Sequence, residues 1–141
     1  MRRVDRLFES YDRYHQHPVN KAIHWICVPL IVWSVLGMLW AASPLATIVA
    51  IAATILFYLF LSAPLALGML GVLAAMASVL TLFGHRLLLI SLVTFIAAWV
   101  GQFIGHAIEG RKPAFVDDLR SFLVAPAWLV GDVYRRLGLR Y

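Results

Sequence analysis

From Trp25 to Phe83 the chain carries no Asp, Glu, Lys, Arg or His. A soluble domain of 141 residues encloses too little interior to hide such a stretch from water. Crossing about 30 Å of hydrocarbon takes about 20 helical residues, so the stretch is also too long for one membrane span. Ser43-Pro44 and Ala63-Pro64 divide it into roughly equal pieces, and Gly84-His85-Arg86 closes the third. A fourth apolar run follows from Leu87 to Gly105. The pattern predicts spans over residues 22–42, 45–62, 65–83 and 87–108, with turns so short that neighbours must run antiparallel. Composition agrees, at 62% apolar and 13% charged residues, against about 45–50% and about 25% in soluble domains. The expected fold is all-α: one membrane domain over 1–141, built as a bundle of four transmembrane helices. Gly101-x-x-x-Gly105 allows the fourth span to approach a neighbour closely.

Both ends of the chain are amphipathic. Val4, Leu7, Phe8, Tyr11 and Tyr14 recur at helical spacing among charged residues, so 1–19 reads as a helix lying in the membrane surface. Pro18 should end that helix, and Asn20 is a suitable N-cap for the next. The tail, 115–141, alternates Phe115, Leu119 and Phe122 with charges and is broken by Pro126, which suggests one or two further interfacial helices. The polar first residues do not form a signal peptide. The single cysteine, Cys27, excludes a disulfide within one chain.

The net charge of +5 reflects topology rather than a nucleic-acid partner. Five Lys/Arg residues precede the first span and six follow the fourth, leaving only Arg86 elsewhere. By the positive-inside rule both termini are expected in the cytoplasm, as an even number of spans allows. The membrane would be the inner or plasma membrane in a prokaryote and the endoplasmic reticulum in a eukaryote.

Topology also sorts the histidines. His15, His17, His24 and His106 gather at the face that holds both termini, whereas His85 belongs to the opposite face, about 30 Å away. Gln102, His106 and Glu109 fall at i, i+4 and i+7 on one face of the fourth helix, and Asn20 and His24 are one turn apart on the first. Taken singly, each has an ordinary reading as an interfacial residue or ion-pair partner. As a set, polar groups at membrane depth are costly and face one another or a cavity. Imidazoles converging with a carboxylate suit a transition metal such as Fe, Zn, Cu or Ni, with Asn20 or Gln102 orienting the ligands. Spacing alone does not name the metal.

Two blocks carry a family resemblance. Tyr14-His15-x-x-Pro18-x-Asn20-x-x-x-His24, followed by Val28-Pro29, is the first. The second is Trp99-x-x-Gln102-Phe103-x-Gly105-His106-x-x-Glu109-Gly110-x-x-Pro113-Ala114, followed by Asp118-Leu119 and Leu123-Val124-Ala125-Pro126. Together they resemble the membrane family of 2-hydroxy fatty acid dioxygenases of fatty-acid alpha-oxidation. The resemblance covers nearly the whole chain, the middle spans matching in hydropathy only. It implies an iron(II)-dependent enzyme that uses O2 to shorten 2-hydroxy fatty acids by one carbon. Position by position it implies metal ligation by His15, His24 and His106. His17 stands where the family more often has Asp or Asn, and is a ligand or a residue just behind the ligands. Glu109 matches the family, with its role as ligand, base or ion-pair partner left open. Arg13, Lys21, Arg111 and Lys112 cluster at the same face and are candidates for binding the substrate carboxylate, or simply fix topology. Rival readings are a non-catalytic membrane protein with a structural metal or histidine network, and a metal-dependent lipid hydrolase with Glu109 as base. A transporter is the weaker rival, since no charged residue marks a path through the spans.

Overall fold

Prolines write the helix starts. A proline lacks the N–H that the first helical turn leaves unpaired, and its fixed φ suits that position. The computed structural model describes residues 1–141. In it Pro18, Pro44 and Pro64 stand in the first turn of α2 (Pro18–Ala42), α3 (Pro44–Leu61) and α4 (Ala63–Leu80). Ser43 and Ser62 cap the latter two, their hydroxyls accepting from the backbone N–H of Ala46 (3.2 Å) and Leu65 (3.3 Å). Each turn is thereby reduced to a single residue. α1 (Arg3–Asp12) precedes these helices; α5 (Leu87–Glu109) and α6 (Ser121–Arg136) follow. The protein is all-helical, and four of its helices are long and apolar enough to cross a membrane.

Pro18 corrects one expectation. It opens α2 rather than closing α1, which ends six residues earlier. The N-cap is therefore His17, and Asn20 lies inside the first turn, fully buried. A proline between two helices can serve either, and the Asp12–His17 segment turns away before it.

α2 is the hub. It packs along most of α5 and also meets α3, α4 and α6. Small residues on α5 allow the close approach: a Cβ added at Gly101 would stand 2.6 Å from the Cys27 sulfur, and one at Gly105 would stand 2.5 Å from Asn20 Oδ1. Outward, Leu45, Phe60, Leu67, Leu89 and Ile96 are more than half exposed, an apolar girdle that water would not tolerate and lipid favours.

The two terminal helices fold over one end of this assembly. Val4, Phe8 and Tyr11 of α1 are buried with Val124, Ala127, Trp128 and Leu129 of α6. Phe8 lies against Gly131, where an added Cβ would be 2.7 Å from its ring. Trp128 donates to the Asp12 carboxylate (2.8 Å), and Tyr58 and Tyr134 donate to the carbonyls of Leu123 and Pro64 (both 2.6 Å). In the tail a short 3-10 turn (Ala114–Val116) precedes α6, which runs through Pro126. Chain ends and terminal helices thus cover the end of the bundle from which α2 departs and to which α5 returns.

Candidate metal centre

Three imidazoles meet beneath that cover. His24 sits on α2, His106 on the last turn of α5, and His15 in the segment between α1 and α2. They are 1%, 6% and 0% exposed, and each offers one ligand nitrogen within 4.8 Å of the other two. A metal–imidazole bond is about 2.0–2.1 Å, so one ion among them reaches all three after small ring movements.

The hydrogen bonds behind the rings decide their tautomers. His15 Nδ1 lies 2.8 Å from the Tyr11 carbonyl and His24 Nδ1 lies 2.9 Å from the Asn20 carbonyl. A carbonyl only accepts, so both Nδ1 atoms carry the proton and both Nε2 atoms present lone pairs. Those two Nε2 atoms face each other across 2.8 Å. Two lone pairs at that separation repel unless a cation lies between or beside them, which is the arrangement of metal-binding histidines oriented by backbone carbonyls. Burial pushes the His15 imidazole down to about 4, so it is neutral near pH 7 and free to ligate. Tyr11 stacks on it at 4.2 Å between ring centres. The third ring, His106, is buried with Nδ1 unpartnered. This donor set fits a transition metal.

Glu109 does not join the rings. Its carboxylate accepts from the backbone N–H groups of Gln16 (2.9 Å) and His17 (2.6 Å) and from Asn20 Nδ2 (3.3 Å). It therefore crosses from the end of α5 to the N-terminus of α2, where the helix dipole favours an anion, and fixes the turn next to His15. Asn20 spans the same junction, donating also to the Tyr14 carbonyl at 3.2 Å. His17 points elsewhere: its Nδ1 accepts from Val19 N–H at 3.1 Å and its ring is exposed. His85 is exposed in the turn between α4 and α5, at the far end of the bundle.

A narrow cavity of about 60 Å³ opens from the three histidines. Val28, Ile31 and Val32 of α2, Trp99 of α5, and Phe115, Phe122 and Pro126 from the tail wall it. Gln102 and Ser121 add polar atoms. Arg13, Lys21, Arg111 and Lys112 do not line it. Arg13 pairs with Glu9 (3.8 Å), Lys112 with Asp117 (2.8 Å), and Arg111 lies over the Tyr14 ring while donating to the Arg13 carbonyl. Lys21 faces a separate surface basin with Asp12 and Asp132.

The motif spacing pointed to the histidines but not to Tyr11, Trp128, Ser121 or the aromatic wall of the tail. Tyr11 precedes His15 by one helical turn, a signal that reading the α1 stripe as membrane-facing concealed.

A family model described as 2-hydroxy-palmitic acid dioxygenase Mpo1-like matches residues 1–137. The chain belongs to that family. Within it, the chain is 34% identical over 138 residues to 2-hydroxy-palmitic acid dioxygenase MPO1 of Saccharomyces cerevisiae, covering 91% of this chain and 78% of the yeast protein. No solved structure matches the chain. The family match reaches both terminal helices.

Proposed function

We propose that this protein is an iron(II)-dependent dioxygenase that removes one carbon from 2-hydroxy fatty acids, with His15, His24 and His106 as the iron ligands. The observation that carries the reading is the pair of opposed Nε2 lone pairs at 2.8 Å, with His106 beside them and an apolar cavity leading away. Membership of a family named for a 2-hydroxy-palmitic acid dioxygenase supplies the substrate class.

The chain's own residues divide the work. The carbonyls of Tyr11 and Asn20 keep the proton on Nδ1 of two rings, so their Nε2 atoms stay available. Glu109 and Asn20 hold the segment that carries His15 against α5. Gln102 orients the head group of the substrate, while Val28, Ile31, Val32, Trp99 and Phe122 receive the acyl chain and keep water from it. The chemistry supplied by bound iron(II) is activation of O2 beside a substrate whose hydroxyl and carboxylate can chelate it. Arg13, Lys21, Arg111 and Lys112 serve outside the cavity by drawing the anionic acid to the cytoplasmic membrane surface, where both termini lie. His17 acts as the cap of α2 and not as a ligand.

The test is metal analysis and oxygen uptake by the protein purified in detergent. One iron per chain is expected, with O2 consumed on adding 2-hydroxypalmitate and an acid one carbon shorter released, without nicotinamide or 2-oxoglutarate. Replacement of iron by zinc should abolish turnover, because zinc has no redox chemistry. Equal activity with zinc, or turnover without oxygen, would sink the reading.

A further inference from the structure

An acid entering the histidine cavity meets no Lys or Arg in its lining. Removing a carboxylate from water costs several kcal/mol unless hydrogen bonds replace the lost hydration. Apart from the histidines, the side-chain polar atoms of the lining belong to Tyr11, Trp99, Gln102 and Ser121. Two of these are buried on the inward side of α5 without a partner: the Trp99 indole N–H and Gln102 Oε1. Gln102 is only 6% exposed. A buried polar group left alone costs about 1–3 kcal/mol, so such a residue in a cavity wall has an unused hydrogen bond to offer a ligand. Half a turn of the amide exchanges its oxygen for an NH2 donor at the same place.

Ser121 approaches from the other wall as the first residue of α6, a helix of 16 residues. The first backbone N–H groups of α6 already bond the carbonyls of Asp118 (3.0 Å), Leu119 (3.2 Å) and Arg120 (2.9 Å). The serine hydroxyl, standing at the positive end of the helix dipole, is therefore what α6 offers an anion. Asp117 and Asp118 lie beyond Ser121 in an adjoining cavity and would repel one. Each is already matched, Asp117 by Lys112 and Asp118 by Arg120, both at 2.8 Å.

We propose that Gln102, Ser121 and Trp99 form a carboxylate subsite of neutral donors for the head group of a long-chain monocarboxylic acid. It rests on the reading of the cavity as a fatty-acid site, and adds that the carboxylate is recognised by the protein as well as by any bound metal. These donors favour that acid over an alcohol of the same length, whose uncharged hydroxyl accepts weaker hydrogen bonds.

Equilibrium binding of radiolabelled palmitate and hexadecanol to the full chain in detergent tests this. Neither ligand has the 2-hydroxyl needed for chelation. Ser121→Ala and Gln102→Leu should each weaken palmitate binding by about tenfold or more, the effect of losing a hydrogen bond to a charged group. Hexadecanol binding should fall by clearly less than palmitate binding, and Ser121→Thr should restore palmitate binding. Palmitate binding that ignores Ser121→Ala, or equal weakening of both ligands, would overturn the subsite. Should Gln102→Leu not fold, Ser121→Ala and Ser121→Thr decide alone. Oxygen uptake by the unaltered iron-loaded protein separates the two ideas. Uptake on 2-hydroxypalmitate with palmitate binding indifferent to Ser121 overturns the subsite only. No uptake with palmitate binding still dependent on Ser121 overturns the dioxygenase reading only.

Discussion

The two ends of the bundle treat histidine in opposite ways. At one end His15, His24 and His106 are almost wholly buried, packed among Tyr11, Trp128 and Gln102 and roofed by α1 and α6. At the other, His85 is exposed in a one-turn segment with no helix over it. The difference is not composition, since both ends carry histidine beside arginine or lysine. A polar residue at a helix end normally reaches interfacial water at no cost. Covering it removes that water, and the imidazoles must then find partners among themselves, in backbone carbonyls or in a metal. The cover, contributed by the two stretches outside the spans, is what separates a site from an interface.

The largest effect that sharpens this contrast is loss of a ligand. His15→Ala, His24→Ala and His106→Ala should each abolish stoichiometric metal binding, measured by elemental analysis of purified protein. Full metal in any of them would remove that residue from the centre. Next comes the seam that brings α2 to α5. Gly105→Val puts a branched side chain where even a Cβ would sit 2.5 Å from Asn20 Oδ1. It should cost about 1–3 kcal/mol by overpacking, seen as a lower melting temperature in detergent together with reduced metal content. Wild-type melting would mean that the seam does not position the rings. Glu109→Gln keeps the shape but halves the acceptors holding Gln16 and His17. A drop of about 10–100-fold in metal affinity is expected, the range for residues that orient ligands; unchanged affinity would reduce Glu109 to a surface cap.

How much of this was legible in the sequence differs between the spans and their cover. Helices show themselves through apolar length, and Pro44 and Pro64 announce starts because proline has few other places in a helix. Pro18 opens α2 rather than ending α1, since punctuation lying between two helices does not say which one it serves. Topology, which needs only the count of spans and the side of each turn, gathers His15, His17, His24 and His106 at one face; the family resemblance singles out the three that meet, and His17 caps α2 instead. The partners of Glu109 did not follow, because backbone N–H groups carry no sequence signature. Nor did the docking of α6: an amphipathic stripe reads the same whether its apolar face meets lipid or protein. Only the structure shows that Trp128 and Val124 pack on α1 and so close the roof.

A smaller effect concerns the latch at the edge of that roof. Tyr14 donates to the Asp117 carboxylate and Lys112 pairs with it at 2.8 Å, joining the segment after α1 to the segment after α5. Lys112 first and then Tyr14 hold the Asp117 carboxyl below its usual range. A carboxyl depressed in the folded state adds stability above its unfolded value, and that stability is lost as pH falls through the folded value. Asp117→Asn should therefore melt slightly below wild type at pH 7, and the gap should close in acid below the usual carboxylate range. A gap that persists there would mean the latch acts through shape and not charge.

The smallest expected effect is at the other end, and it is the one that can break the comparison. His85 lies 21 residues before His106, and α5 runs through nearly all of that interval. At about 1.5 Å of rise per residue the two imidazoles are roughly 30 Å apart, several times the reach of any shared ion. His85 lines only an open hollow with Trp40, Ala41, Leu80 and Thr81. Exposed substitutions that break no packing stay within about 0.5 kcal/mol. His85→Ala should thus keep full metal content, normal oxygen uptake and an unchanged melting temperature. Loss of metal in that variant would require His85 to reach the other histidines, either by a different span count or across two copies of the chain, and the contrast between a covered and an open end would fall with it.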